Sequence, residues 1–379
     1  MKKHRLILLF LLSAALLALG ACASAESGVL ALPDSVAVIG EEAFAGTTSF
    51  WKVIVPAGAT AIESRAFADS ALAEIVLPAS VESIAEDAFE GCDGLIVAAP
   101  RGSYAHGWAL ARGMVRPRYR ALLIGQNTYE TNPLRGCVND MTAMAGTLGT
   151  LVNRFEAHTA PNLKGAQILP KVAEVFADMT EEDVSLFYYA GHGVNAGGEA
   201  DMQGALLGVD NQAVSFAELA AALARVPGRV IVILDSCYSG ASIDRSTRAV
   251  MTADAFNSSA ISAFARYDSA LNEATRSGEL AQSKFVVITA ASQLETSGDF
   301  YYDGSGYRQG CFSAAFIQGM GSIYPDGHYS GSTPADADGN LQITLGEIYD
   351  YTRTTATGWR ASQTAQCYGD EDEVLFRRG

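Results

Sequence analysis

Two short stretches of this chain could do chemistry together. "FYYAGHG" (187–193) brings an apolar run to an end on His192, and "LDSCYSG" (234–240) ends a second apolar run on Cys237, 45 residues later. A thiol and an imidazole are the minimum for nucleophilic acyl transfer, because the thiolate attacks and the imidazole manages the protons. If the two runs are parallel neighbouring strands, His192 and Cys237 meet at one sheet edge. Gly191 and Gly193 flank the histidine, as expected where backbone must approach a substrate closely. Asp235 stands two residues before Cys237, so in an extended chain both emerge on the same side. A carboxylate beside a thiol disfavours the thiolate, so Asp235 needs work of its own.

The elements that must position these residues are legible from periodicity. Apolar strands are expected at 119–125, 184–190, 229–236 and 284–291, with a weaker one near 154–159. Helices are expected at 138–151, 168–178, 215–226, 311–321 and 344–355, with Ser215 and Glu218 forming an S-x-x-E capping box. All-apolar strands alternating with helices predict an α/β domain with a mostly parallel sheet covered on both faces. In such sheets the working residues lie beyond the carboxyl ends of the strands, where His192 and Cys237 fall.

The preceding part of the chain is built differently. "LPDSVAVIGEEAFAG", "VPAGATAIESRAFAD" and "LPASVESIAEDAFEG" repeat Pro at 33, 56 and 78, Ile at 39, 62 and 84, and Phe at 44, 67 and 89. That period of 22 to 23 residues belongs to solenoids, each unit reading as a short strand, a turn and an "AF" anchor. The repeats resemble the bacterial surface type of leucine-rich repeat, with "APRGSYAHGWALARG" as the closing unit. Before them, "MKKHR" and "LILLFLLSAALLALGA" form a basic n-region and an apolar h-region of export-signal length. The run closes on "LGAC", which resembles the lipobox of bacterial lipoproteins and implies a lipid on Cys22; an ordinary signal cut near "ACASA" is the alternative. The organisation expected is a signal at 1–21, a linker at 22–29, a solenoid at 30–114 and the α/β domain at 118–379.

The 379 residues carry a net charge of −16, with 49% hydrophobic and 18% charged residues, which describes a globular chain. So acidic a surface argues against nucleic acid as a partner, since phosphate contact needs clustered Lys and Arg, and favours cationic ones. None of the six cysteines forms a CxxC pair, which argues against a zinc site. If Cys22 and Cys237 have roles of their own, spacing leaves the pairing of the other four open. No GxxxxGK[ST] phosphate loop occurs, and Ile243 stands where a tyrosine phosphatase would need Arg.

"FYYAGHG" followed by "LDSCYSG" resembles the caspase-like cysteine peptidases. "LLIGQNTY" and "PLRGCVNDMTAM" resemble the opening of the same domain, and "ITAASQLETSGD" with "GCFSAAFIQGM" its later half. The resemblance implies Cys237 as nucleophile, His192 as proton-transfer partner, and the N–H groups of Gly193 and Cys237 as oxyanion hole. True caspases carry "QAC" and cleave after Asp; "DSC" is the metacaspase form, which cleaves after Arg or Lys. By that likeness Asp235 and Asp140 line a pocket for a cationic side chain, and the peptidase takes peptide or protein substrates bearing Arg or Lys. The alternative for Asp140 is an acid complementing a helix N-terminus.

About 40 residues separate the nucleophile from the strand at 284, long for a connection in a compact domain. In caspase-like enzymes this linker is often cut, and Arg245, Arg248, Arg266, Arg276 and Lys284 offer sites for self-processing. "DADGNLQITLGE" (336–347) resembles a calcium loop, with Asp336, Asp338, Asn340 and Glu347 as ligands and Leu341 where the loop wants Gly. Thr344 and Glu347 equally make a T-x-x-E capping box, and the peptidase chemistry itself requires no cofactor. A rival reading has the repeats bind a protein partner at a lipid-anchored surface while the caspase fold serves as an inactive scaffold. Intact His192 and Cys237 count against it.

Overall fold

The computed structural model describes residues 28–196, 203–238, 251–274, 283–292, 300–302, 308–323, 327–359 and 363–379. The chain divides into two compact units, the second running Arg118–Gly379. In the first, strands β1 (Val29–Ala31), β2 (Val38–Ile39), β3 (Lys52–Ile54), β4 (Ala61–Ile62), β5 (Glu74–Val76), β6 (Ser83–Ile84) and β7 (Ile96–Ala98) precede helix α1 (Tyr104–Leu110). They form two parallel ladders, β1-β3-β5-β7 and β2-β4-β6, so the backbone makes three coils and a fourth outer strand. A two- or three-residue strand cannot bury its own apolar face, and stacking coils does it instead. Ile39, Ile62 and Ile84 line up inside. Phe44, Phe67 and Phe89 stack with ring centroids 5.1 and 5.5 Å apart, and Trp108 of α1 closes the column edge-on at 5.7 Å. Ser103 caps α1 by accepting from the His106 amide.

The second unit opens with β8 (Tyr119–Gly125), α2 (Cys137–Gly149), β9 (Phe155–Pro161), α3 (Gly165–Val175), β10 (Val184–Asn195), β11 (Gly204–Leu207), β12 (Ala213–Ser215), α4 (Phe216–Ala224) and β13 (Arg229–Tyr238). It continues through α5 (Ala253–Ala274), β14 (Phe285–Ser292), β15 (Phe300–Tyr302), β16 (Arg308–Gly310), α6 (Cys311–Gly319), β17 (Ser322–Ile323) and β18 (His328–Tyr329). It closes with β19 (Gln342–Thr344), α7 (Leu345–Trp359), β20 (Gln363–Tyr368) and β21 (Val374–Arg377).

The central sheet runs β9-β8-β10-β13-β14-β20, parallel except for β20, and antiparallel β11 and β12 extend it from the end of β10. Alternate strand residues serve opposite faces. Leu186, Tyr188, Ile231 and Ile233 pack against α2, α6 and α7, while Phe187, Tyr189, Val230 and Val232 pack against α3, α4 and α5. This three-layer, mostly parallel arrangement is the one the periodicity implies. The Ser215–Glu218 capping box forms at α4.

One expectation changes. The stretch read as an open connection from 241 to 284 contains α5, a 22-residue helix. Ala253, Phe256, Asn257, Ala260, Phe264 and Asp268 are buried, at the three- and four-residue spacing of one helix face. Among the described residues, Cys92, Cys137, Cys311 and Cys367 form no disulfide with one another.

Candidate active site

Strand β10 lies between β8 and β13, and its register sets His192 opposite Cys237. Both expected residues therefore stand at paired positions near the carboxyl ends of neighbouring parallel strands. Of Cys237 the backbone is described; position 237 continues the series 231, 233, 235 along β13.

His192 is 2% exposed. Its Nε2 lies 2.8 Å from the carbonyl oxygen of Asn132. A carbonyl can only accept, so Nε2 carries the proton and Nδ1 presents a lone pair. That Nδ1 is buried and has no hydrogen-bond partner among the described residues. Burial pushes the imidazole below its ordinary value, partly opposed by the bond to Asn132, so it is neutral at neutral pH and fit to accept a proton. Asn132 directs its carbonyl from a left-handed conformation, φ 55°, which Asn tolerates better than most residues.

Packing independently requires glycine at both flanking positions. A Cβ on Gly191 would stand 2.6 Å from the hydroxyls of both Tyr129 and Tyr189, and one on Gly193 2.4 Å from the Phe256 ring of α5.

The two expected pocket acids converge on the N-terminus of α6. Asp235 Oδ2 accepts from the Ser313 amide at 3.1 Å and its hydroxyl at 2.6 Å. Asp140, fully buried in the first turn of α2, accepts from the Gly310 amide at 3.1 and 3.0 Å. A Cβ on Gly310 would lie 2.7 Å from Asp235 Oδ2 and 3.1 Å from Asp140 Oδ2, so one glycine separates the carboxylates. Burial raises Asp235 to about 6, against the lowering effect of the two Ser313 bonds. Tyr188 extends the chain, its hydroxyl 2.6 Å from Ser313 Oγ. Asp140 thus stands in the first turn of its own α2 and also holds the N-terminus of α6, 170 residues away.

Two of the five cations expected as processing sites lie in ordered structure. Arg266 is inside α5. Lys284 immediately precedes β14, with its amide on Asp268 and its ammonium on the carbonyls of Val226 and Gly228. A peptidase binds its substrate extended, so neither is open to cleavage in the folded chain. Arg245, Arg248 and Arg276 lie outside the described residues, as does Cys22.

Asp336, Asp338 and Glu347 bring one carboxylate oxygen each within 4.8 Å of the others, a spacing that could hold a metal ion. Their oxygens accept amide protons of the loop itself, from Asn340, Leu341 and Ala337. Asn340 bonds the Asp338 side chain at 2.8 Å. Thr344 and Glu347 form the reciprocal capping box of α7. Folding alone accounts for every one of these acids.

The sequence model of the caspase domain matches residues 118–333, more than half of the chain. The chain belongs to the caspase-domain family of cysteine peptidases. A second family model, the BspA type leucine rich repeat region, matches in six copies over residues 21–99, where the backbone makes three coils and a fourth outer strand. A crystal structure from Geobacter sulfurreducens is similar at 17% identity and a TM-score of 0.42, covering 69% of this chain and 98% of that one. No curated protein matches the chain.

Within this caspase domain, sequence reasoning missed Tyr129, Asn132, Tyr189, Gly310 and Ser313. "TYETN" carried a signal for one of them, since an Asn before Pro at a strand-to-helix connection is a turn residue. The others are visible only once β10 and α6 are placed side by side.

Proposed function

We propose that the protein is a cysteine endopeptidase that cleaves after Arg or Lys with a Cys237–His192 dyad. The observation that carries this reading is the register of His192 against Cys237, with the imidazole held by Asn132 in the tautomer whose free lone pair is on Nδ1. Cys237 gives its proton to Nδ1, and its sulfur attacks the scissile carbonyl. The oxyanion is held by the N–H groups of Gly193 and Cys237. His192 then protonates the leaving amine, and a water deprotonated by the same Nδ1 hydrolyses the thioester, restoring thiol and neutral imidazole.

Asp235 and Asp140 supply two buried carboxylates for a cationic side chain at the residue before the cut. A charge-assisted bond contributes about 1.5–3 kcal/mol, whereas an Asp substrate meets like charge. Self-processing at Arg245, Arg248 or Arg276 follows from the same preference. Export and lipidation at Cys22 rest on Lys2, Lys3, Arg5 and "LGAC", and the repeats offer a surface for a protein partner.

The test is fluorogenic peptides ending in Arg, Lys or Asp, with and without calcium, beside a Cys237→Ala control. Cleavage after Arg or Lys that the control lacks is expected. Preference for Asp would overturn the pocket while sparing the dyad; silence on every peptide would favour the scaffold reading.

A further inference from the structure

Strand β10 changes partners at the histidine. On one side it pairs with β8 as far as Ala190 opposite Gly125, and then with antiparallel β11 from Gly193 opposite Leu206. Between those ladders Gly191 and His192 have no strand beside them on that side. Continued by one residue, the β11 register would set His192 against Leu207, but two phenols stand there instead. The His192 amide donates to Tyr129 Oη at 2.8 Å. Tyr189 Oη lies 2.9 Å from the His192 carbonyl and 2.7 Å from that of Leu207, and its one proton serves both. The two hydroxyls are 3.0 Å apart.

The tyrosines arrive from opposite faces of the sheet. Tyr129 belongs to the α2-side core and Tyr189 to the α3-side core, and they meet through the break between β8 and β11. Gly191 is what makes the meeting sterically possible. The Tyr129 ring also lies 4.4 Å from the imidazole, centroid to centroid. Buried peptide groups need partners, and a plain ladder would have provided them; here side chains fix both peptide groups of the one residue that must aim its ring.

We propose that Tyr129 and Tyr189 are positioning residues, a two-phenol clamp that sets the His192 imidazole against Cys237 by holding the histidine's own N–H and C=O. This rests on the dyad reading above and extends it by two residues that act through the backbone of the histidine. Without either phenol the β10 end rotates, the Nε2 bond to Asn132 lengthens, and the lone pair leaves the line to position 237.

The experiment needs no substrate. Site-resolved alkylation of Cys237 by iodoacetamide, read by mass spectrometry on the full-length protein, is followed against pH for wild type, Tyr129→Phe, Tyr189→Phe and His192→Ala. Each phenylalanine variant is expected to alkylate about fivefold to tenfold more slowly at neutral pH, with the histidine-dependent inflection moved towards its position in His192→Ala. Phenylalanine variants that melt lower yet keep the wild-type rate and inflection would overturn the clamp and leave the tyrosines as packing. If His192→Ala matches wild type, the dyad reading fails and the clamp falls with it. Should the phenylalanine variants not fold, 3-fluorotyrosine at 129 preserves shape while weakening the acceptor. A moved inflection supports the clamp, and an unmoved one overturns it.

Discussion

Replacing Asp235 by Asn should make the protein more stable, and the gain should depend on pH. The carboxyl is 6% exposed and burial raises it from 3.8 to about 6. Below 3.8 it is neutral whether the chain is folded or not, so it costs nothing. Above about 6 it is charged in both states, and the folded state bears the whole cost of a charge held out of water. Wild-type stability contributed by this group therefore falls as pH rises from about 4 to about 6. The shift of roughly two pH units corresponds to about 3 kcal/mol at pH 7 and above, with about half of that already present at pH 5. Asn keeps an oxygen to accept from the Ser313 amide and hydroxyl, while the favourable field of the α6 N-terminus on a charge, about 0.3–2 kcal/mol, is lost. The net expectation is a variant about 1–3 kcal/mol more stable than wild type at pH 8, and about half as much at pH 5. Differential scanning calorimetry of the second unit's transition at both pH values reads the difference. A variant destabilised by the same amount at pH 5 and pH 8 would refute the reasoning, and would make Asp235 a helix cap whose charge the fold wants. The same protein should lose cleavage after Arg chiefly through KM, because the cationic side chain loses its counter-charge.

Gly310→Ala tests the pocket from its floor. Gly310 has φ −72°, so no backbone strain arises, and the nearest atoms the added methyl meets are those of the two carboxylates. KM for Arg peptides should rise about tenfold or more with alkylation of Cys237 unchanged. Phe67→Ala should cost the solenoid about 3–5 kcal/mol, because its fully buried ring stacks on two neighbours; urea denaturation of the first unit measures it. Leu341→Gly should raise stability by about 0.5–1 kcal/mol, since Leu341 is held at φ 64°; a melting curve of the second unit checks it.

The strands that carry chemistry were readable from sequence because they are short, wholly apolar and bounded by turn residues. The expected 119–125 matches β8 in both ends, and the expected ends at 190 and 236 fall short of β10 and β13 because Gly, His and Cys interrupt the apolar run. Helix α5 was hidden by composition. Its Ala, Ser and Asn residues read as a linker, although Phe256, Ala260 and Phe264 recur at helical spacing. Of the candidate site, the strand-end pattern singled out His192 and Cys237, and the resemblance to the metacaspase form singled out Asp140 and Asp235. The roles of Ser313, Gly310, Tyr129 and Asn132 come from neighbours that lie 60 to 170 residues away in sequence, a distance over which one sequence holds no pairing signal.

The order of strands has a consequence for a severed chain. Residues 239–250 separate β13 from α5 in sequence, yet β13 and β14 pair along eight residues in the middle of the sheet. Phe264 and Phe285 lie buried together, rings 5.1 Å apart, holding α5 to β14. A cut anywhere between 239 and 250 would leave six strands of the sheet on one fragment and only β14 and β20 on the other, with both cores divided between them, and neither could stand in water without the other. The break would be covalent and nothing else. Denaturing gels would show two bands, while gel filtration would show one particle of unchanged size.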